Sequence, residues 1–242
     1  TFYSYRFIGL SPVDGGPLFD DYSEQVDLLK NLNKYETFTT VLKPTGKRDP
    51  SMSGSVYNNF IWKRFRANLT LAYSLGAKLR QSRILAQRPA DDENRFIYSE
   101  FNANRALLNR WKAPGDEKNT IIPAIIGTNQ PGYYAYNRHW TQQGGYEGII
   151  FAETAWDMYD YCDARVVSGN YLKCSNVSVA YVLPEKWLKT VRISRFEATL
   201  SATNLFTVCS KKLKGQTPTQ SVFSQVQLSD RPTISLGFNV SF

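Results

Sequence analysis

A run of aromatic residues in one loop is the feature of this sequence best suited to binding a ligand. The segment QPGYYAYNRHWTQQGGY (130–146) contains Tyr133, Tyr134, Tyr136, Trp140 and Tyr146. Exposed aromatic rings stack on sugar faces and anchor peptide or protein partners. We therefore predict a substrate- or partner-binding role for these five residues. The competing interpretation is that the rings pack the long loop against itself.

Side chains that catalyse reactions or bind metals are scarce elsewhere. His139 is the only histidine, so a His-based metal cluster is excluded and a Ser-His-Asp triad would depend on this one loop residue. The acidic residues of ETAWDMYDYCD (153–163) lack the spacing of an EF-hand loop, which favours a solvated acidic loop over a calcium site. We therefore expect no enzyme activity, no metal site and no cofactor.

The formal net charge of +8 does not by itself indicate nucleic-acid binding. Lys and Arg are scattered along the chain, and only KKLKG (211–215) forms a cluster. We interpret the basic residues as a solvated polar face and predict no nucleic-acid partner. No segment approaches the roughly 20 apolar residues that a membrane-spanning helix requires.

Segments of two-residue periodicity are the elements that must hold these loops in place. In the ending RPTISLGFNVSF (231–242), apolar and polar residues alternate strictly from Thr233 onward. The segment 66–80 alternates over fifteen residues, which is long for a soluble domain, where about 5 or 6 residues is usual. Further strands are predicted over 171–183, 192–206 and near 52–62. The pattern predicts an all-β, antiparallel fold with about six strands.

The links between these strands alternate between short and long. Residues 63–64 and 184–191 form short links, whereas 81–169 and 207–230 form long ones, the first of which contains a predicted helix over 99–115. A transmembrane β-barrel has short turns at one end and long loops at the other. The link lengths therefore favour a barrel.

Two folds produce the same alternation of apolar and polar residues. In an antiparallel sandwich the apolar face packs on a second sheet, whereas in a transmembrane barrel it contacts lipid and the polar face lines the lumen. Strand length favours the barrel, because crossing the hydrocarbon takes about 9–11 tilted residues. Aromatic residues at the strand ends also favour the barrel: Trp62, Trp187, Phe206 and Phe242. A passive porin or adhesin barrel and a secreted carbohydrate-binding β-sandwich are the alternatives.

Two local features follow from the predicted strands. A change of parity within 171–183 predicts a β-bulge near Ser175–Asn176. Extending the expected pairing of 171–183 with 192–206 brings Cys162 and Cys209 together just above the strand ends. A disulfide between these two cysteines is therefore a hypothesis.

The segment NYLKCSNVSVAYVLPEKWLKTVRISRFEATLSATNLFTV (170–208) resembles the closing region of the SusC/RagA class of TonB-dependent outer-membrane transporters. Its matching positions are Tyr171, Leu172, Asn176, Val177, Tyr181, Leu183, Pro184, Trp187, Leu188 and Asn204–Leu205–Phe206. Cys174 departs from the pattern, in which an apolar residue such as Leu is usual. Segments 3–19, 49–65, 109–123 and 231–242 also agree in order, so the resemblance covers essentially the whole chain.

The resemblance implies that residues 1–242 are the C-terminal part of a transporter barrel of about 22 strands. The plug domain and the N-terminal strands would then be absent from this chain. A terminal aromatic residue after alternating residues resembles the assembly signal of bacterial outer-membrane barrels, which assigns that role to Phe238, Val240 and Phe242.

The implied activity is energy-coupled import of glycans or peptides in the outer membrane of a Gram-negative bacterium. The long loops would be extracellular and the C-terminus periplasmic. The expected partners are the remaining barrel and plug segment, a SusD-like surface lipoprotein, TonB acting through the missing plug segment, and outer-membrane lipid.

Overall fold

The computed structural model describes residues 1–20, 22–84, 105–127, 129–130, 132–133, 136, 154–188, 193–213, 215–219 and 230–242. The chain divides into two compact units. The loop unit comprises Thr1–Gly46 and Arg80–Val166, and the sheet unit comprises Lys47–Leu79 and Val167–Phe242. Among the described residues, no helix combines the length and the apolar character needed to cross a membrane.

Strands dominate the described part of the chain. In chain order they are β1 (Phe2–Ser4), β2 (Phe7–Leu10), β3 (Pro17–Phe19), β4 (Lys43–Gly46), β5 (Met52–Trp62), β6 (Phe65–Leu75), β7 (Lys78–Arg80), β8 (Val166–Ser168), β9 (Tyr171–Val182), β10 (Arg195–Cys209) and β11 (Thr233–Ser241). The five long strands form one antiparallel sheet in the order β11-β10-β9-β6-β5. The predicted all-β, antiparallel fold is confirmed, with five strands in this main sheet.

The pairing register sorts the residues of the main sheet onto two chemically different faces. Directly paired residues share a face, so the alternation of each strand continues across the whole sheet. The apolar face, which also includes Gly54 and Asn58, consists of Met52, Val56, Phe60, Trp62, Phe65, Ala67, Leu69, Leu71, Tyr73, Leu75, Leu172, Cys174, Val177, Val179, Tyr181, Phe196, Ala198, Leu200, Ala202, Phe206, Val208, Ile234, Leu236, Phe238 and Val240. The opposite, polar face carries mainly Ser, Thr, Asn and charged residues.

Many large side chains of the apolar face are exposed, and most of the others are half-buried. Ile234 retains 69% of its accessible surface and Leu200 53%, and every residue of β5 and β11 is exposed. The two hydrophobic core clusters among the described residues contain no side chain of this face. A sandwich would bury this face against a second sheet, so the exposed face argues against the sandwich alternative.

Two irregularities interrupt the long strands. The predicted strand 66–80 is divided into β6 and β7, because the backbone leaves the extended conformation at Gly76, with φ +86°. A Cβ on this residue would lie only 2.5 Å from Ser51 Oγ. The predicted bulge is confirmed. In the pairing of β9 with β6, the register skips Ser175. In the pairing of β9 with β10, Ser175 lies opposite two residues, Asn204 and Leu205. Asn204 adopts φ +53°, a left-handed conformation that Asn tolerates better than most residues.

The short links of the main sheet lie at one end and the long ones at the other. Lys63 and Arg64 join β5 to β6 in a two-residue turn, with Lys63 at φ +52°. The link from β9 to β10 contains the helix Glu185–Leu188 and lies at the same end. The C-terminus also lies at this end, because Ser194 N–H donates to the carbonyl oxygen of Ser241 at 2.8 Å.

The loop unit has a hydrophobic core of its own. Its two small sheets pair β1 with β4 and β2 with β3, and its described α-helices are Val26–Lys30, Lys34–Val41 and Ala155–Asp160. Asn33 and Glu36 form a capping box at the start of the second helix. The core includes Tyr5, Leu29, Trp111, Trp156 and Tyr159. This unit therefore buries several of its aromatic side chains in a core of its own.

The helix predicted over 99–115 is wrong in its described part. A 3-10 helix covers Arg105–Asn109 only. Beyond it, Trp111 N–H donates to the Ile122 carbonyl at 2.9 Å, and the amides of Lys112 and Ala113 donate to the carboxylate of Asp116. These bonds replace the helical ones, since the local side chain offers the backbone another partner.

Candidate functional site

The structure places the described members of the aromatic loop in the interior of the loop unit. Tyr133 retains 4% of its accessible surface and belongs to the core cluster. Tyr136 is half-buried, and its ring centre lies 5.5 Å from that of Trp156. Tyr134, Trp140 and Tyr146 lie outside the described residues. For Tyr133 and Tyr136 the positions favour packing of the loop against itself over contact with a ligand.

A glycine turn provides the surface on which these rings pack. The turn joins β2 to β3, and Ser11 closes it by exchanging backbone hydrogen bonds of 2.8 Å with Gly15 and Gly16. A Cβ on Gly16 would lie 1.9 Å from the Tyr136 ring, and one on Gly15 would lie 2.3 Å from the Trp111 ring. Only glycine leaves room for the aromatic rings at this approach to the backbone.

Asp14 connects this turn to the aromatic loop. Tyr136 Oη donates to Asp14 Oδ1 at 2.8 Å, and Gly16 N–H donates to the same oxygen at 3.2 Å. Burial by itself would raise the pKa of Asp14, but hydrogen bonds from Ser11, Tyr136 and Gly16 outweigh it and hold the pKa below its usual value. Burial and the bond to Asp14 raise the pKa of Tyr136 to about 12. The pair is therefore an ionised acceptor and a protonated donor at neutral pH.

The three described acidic residues of the segment 153–163 have separate structural partners, and Glu153 lies outside the described residues. Asp157 accepts from the Thr154 hydroxyl at 2.6 Å at a helix start, and Asp163 accepts from Phe7 N–H at 3.0 Å. Asp160 is fully buried and pairs with the buried Arg165, with 3.4 Å between Arg165 Nε and Asp160 Oδ1. Across the residues that the structure describes, no group of three or more His, Cys, Asp or Glu side chains is arranged to hold a metal.

The disulfide hypothesis is wrong in this structure, where all three cysteines are free. The link between β9 and β10 is longer than the expected turn, so Cys209 stands opposite Tyr171. Cys162 packs in the core of the loop unit, whereas Cys209 packs beside Leu213 in the sheet unit. Burial raises the pKa of the Cys162 thiol to about 12, so this thiol is unreactive at neutral pH.

The polar face of the main sheet is a hydrogen-bonded surface. Tyr57 Oη donates to Asn68 Oδ1 at 3.0 Å, and Asn68 Nδ2 donates to Ser178 Oγ at 3.3 Å, which links three strands. Glu197 lies 2.7 Å from Arg195 and 4.0 Å from Arg66. Such a surface suits contact with water, as the inner wall of a barrel requires.

Aromatic rings cluster on the apolar face near the end with the short links. The ring centres of Trp62 and Phe65 are 6.2 Å apart, and those of Phe65 and Tyr181 are 4.6 Å apart. Phe238 lies 5.7 Å from Phe196 in the same region. Aromatic residues in this position form the interfacial girdles of membrane barrels.

The residues of the predicted assembly signal lie at the edge of the main sheet. Phe238 and Val240 point to the apolar face in β11, which pairs with β10 alone among the described strands. Phe242 follows the strand and retains 92% of its accessible surface. Their role in assembly stays a prediction.

Sequence reasoning missed the residues that organise the loop unit. The dipeptide of Gly15 and Gly16 after Asp14 is a turn signal that could have been read from the sequence. The buried pair of Asp160 and Arg165 has no such signal, because a charged residue in a sequence is usually exposed.

Comparison with solved structures shows the fold. No protein-family model and no curated protein matches the chain. All 242 residues align with chains of the RagAB peptide importer in its open-open state (17% identity, TM-score 0.58) and its closed-closed state (18% identity, TM-score 0.60), and with the RagAB peptide transporter (18% identity, TM-score 0.60). The chain spans 22–23% of the length of those chains. It therefore has the fold of a segment of these transporter chains.

Proposed function

We propose that this chain is part of the wall and loops of an outer-membrane, TonB-dependent importer of peptides or glycans, working with a SusD-like surface lipoprotein. The observation that supports it best is the main sheet, whose apolar face is exposed across five strands and whose polar face is hydrogen-bonded. In this proposal the apolar face contacts lipid and the polar face lines the lumen.

The arrangement of the links supports an orientation for the proposed barrel. In outer-membrane barrels the short turns are periplasmic and the long loops extracellular. The C-terminus and both short links would then be periplasmic, and the long links would be extracellular. The edges at β5 and β11 require further strands, because unpaired backbone groups in lipid cost several kcal/mol each.

Neighbouring residues of β11 offer a matched test of the two faces. Leu236→Cys lies on the apolar face and Ser235→Cys on the polar face, each made with Cys209→Ser in the full-length protein in isolated outer membranes. We expect a water-soluble maleimide to label Ser235→Cys and a lipid-soluble one to label Leu236→Cys. Equal labelling of both positions by the water-soluble reagent would contradict the proposal.

Energy coupling separates this proposal from a passive porin. Uptake of labelled oligopeptides or oligosaccharides by cells that carry the full-length protein should stop when TonB is deleted. Uptake that continues unchanged would support the porin alternative.

A further inference from the structure

The polar face of the main sheet contains a band of side chains without charge, which we call the neutral band. It consists of two adjacent rows, each of which follows directly paired residues across all five strands. The first row is Tyr57, Thr70, Asn176, Thr203 and Thr233. The second row is Asn59, Asn68, Ser178, Ser201 and Ser235. Every side chain of the band carries a hydroxyl or amide group, and none of these residues is buried.

Charged residues lie in the rows on either side of the neutral band. Arg66 is in the next row toward the short links, and its Nη1 lies 4.0 Å from Glu197 Oε1. Lys173 is in the next row toward the long links, where it pairs with Asp230. Both cations therefore have a carboxylate beside them, and the band between them offers hydrogen bonds without a net charge.

Tyr57 provides the one aromatic ring of the neutral band. This residue retains 63% of its accessible surface. Its hydroxyl is held in place, because Tyr57 Oη donates to Asn68 Oδ1 at 3.0 Å and Asn68 Nδ2 donates to Ser178 Oγ at 3.3 Å. The Ser178 hydroxyl, which accepts this bond, can still donate its own proton. An exposed and anchored ring therefore lies beside groups that can both donate and accept hydrogen bonds.

The chemistry of the neutral band matches that of an uncharged carbohydrate. Hydroxyl and amide groups donate and accept hydrogen bonds, as the hydroxyls of a sugar do. The apolar body and polar tip of Tyr57 suit a ligand that offers both C–H and O–H groups. An oligopeptide brings charged termini, which bind most strongly to charged partners, and the band contains none. Five strands spaced about 4.8 Å apart give a width of about 19 Å, which accommodates a short chain of sugar rings.

We propose that the neutral band is a binding surface for an uncharged oligosaccharide. The ring of Tyr57 contacts the C–H face of one sugar unit, and Asn68 and Ser178 exchange hydrogen bonds with its hydroxyl groups. The remaining hydroxyl and amide side chains of the band contact the neighbouring sugar units. This inference rests on the proposed function, in which the polar face lines the lumen, and it selects glycans over peptides as the transported ligand.

The first test identifies which class of ligand enters cells that carry the full-length protein. The probes are neutral oligosaccharide mixtures from dextran, mannan and galactan, offered together with a mixture of oligopeptides, and mass spectrometry follows their depletion from the medium. We expect TonB-dependent uptake of neutral oligosaccharides. If only peptides enter in a TonB-dependent manner, this inference fails while the transport proposal stands. If no probe enters in a TonB-dependent manner, both fail.

The second test locates the binding surface with variants compared at equal amounts of folded protein in the outer membrane. Tyr57→Ala removes the ring, and we expect the half-saturating oligosaccharide concentration for uptake to rise about tenfold. Tyr57→Phe keeps the ring but loses the bond to Asn68 and should raise this concentration about threefold. The matched control is Phe60→Ala, because Phe60 is a similarly exposed ring of the same strand (65%) on the apolar face.

The control should leave the half-saturating concentration within about twofold of that of the unmodified protein. An unchanged concentration in Tyr57→Ala would overturn the inference. Equal losses in Tyr57→Ala and Phe60→Ala would overturn it too, because they would reflect damage to the sheet and not the loss of a ligand contact.

Discussion

In the loop unit the aromatic side chains of Trp156 and Tyr159 are fully buried, whereas in the sheet unit Phe60 and Phe238 stay more than half exposed. The loop unit carries a core and a buried ion pair, as a domain in water does. The main sheet buries almost none of its large apolar side chains.

The difference shows which surroundings each unit requires. Burial of apolar surface is the main force that stabilises a fold in water, and the loop unit obtains it from its own residues. In the proposed barrel, the sheet unit would obtain it from lipid and from further strands. Substitutions in the two units should therefore respond to different tests.

The largest effect is expected from the buried ion pair of the loop unit. Arg165→Ala removes the cation beside the buried carboxylate of Asp160, which keeps the hydrogen bond from Ile84 N–H, and the loss of one member of a buried ion pair typically costs about 3–5 kcal/mol. We expect protease resistance of the loop unit in the full-length protein to fall sharply. Arg6→Ala, which breaks a more exposed pair with Asp20, is the control and should cost no more than about 1 kcal/mol. Equal effects of the two variants would contradict the buried role of Arg165.

The apolar face of the sheet provides the second test. Leu69→Arg places a charge in the middle of the apolar face. If this face contacts lipid as proposed, a charged side chain there costs about 2–4 kcal/mol. Thr70→Arg, the control, places the same charge on the polar face. We expect a smaller folded fraction of Leu69→Arg in outer membranes, measured by the heat-dependent gel mobility of folded barrels. If Thr70→Arg is the more damaging variant, the assignment of the faces is wrong.

Close packing of the glycine turn predicts a smaller loss. Gly16→Ala forces the Tyr136 ring to move, and overpacking of this kind costs about 1–3 kcal/mol. Gly127→Ala is the matched control, because a Cβ there meets nothing within 4 Å. Thermal unfolding of the loop unit, monitored by its susceptibility to proteolysis, should separate the two variants. Equal stability would mean that the turn adapts to the added methyl group.

The bond from Tyr136 to Asp14 predicts a pH-dependent effect. The folded pKa of Asp14 lies below its unfolded value, so its stabilisation is present at neutral pH and is lost as the pH falls through about 4 and below. Tyr136→Phe removes one donor to this carboxylate and should cost about 1.5–3 kcal/mol at pH 7. The difference in unfolding free energy between Tyr136→Phe and the unmodified protein should shrink at pH 3. A difference that stays the same at both pH values would contradict the bond from Tyr136 to an ionised Asp14.

The smallest effect is expected from reduction of the cysteines. Because the cysteines are free, a reductant should not change the unfolding temperature of the loop unit. Alkylation of the native protein should reach Cys209 before the buried Cys162, as measured by mass spectrometry. Detection of a bond between Cys162 and Cys209 in non-reduced protein would contradict the structure.

The main strands could be predicted from the sequence because two-residue periodicity is a local property. Residues 52–62 and 171–183 match β5 and β9 within one residue. The change of parity at Ser175 located the bulge, since a shift of one residue moves side chains to the other face. The link lengths indicated which strand ends lie together.

Other features depended on contacts between residues far apart in the sequence. The pairing of Cys209 with Tyr171 followed from the length of the link, and the burial of Tyr133 followed from the core around it. The partner of Arg165 could be identified only in the folded chain. Alternation determines which side of a strand each residue occupies, but the surroundings of that side depend on the packing of the whole chain.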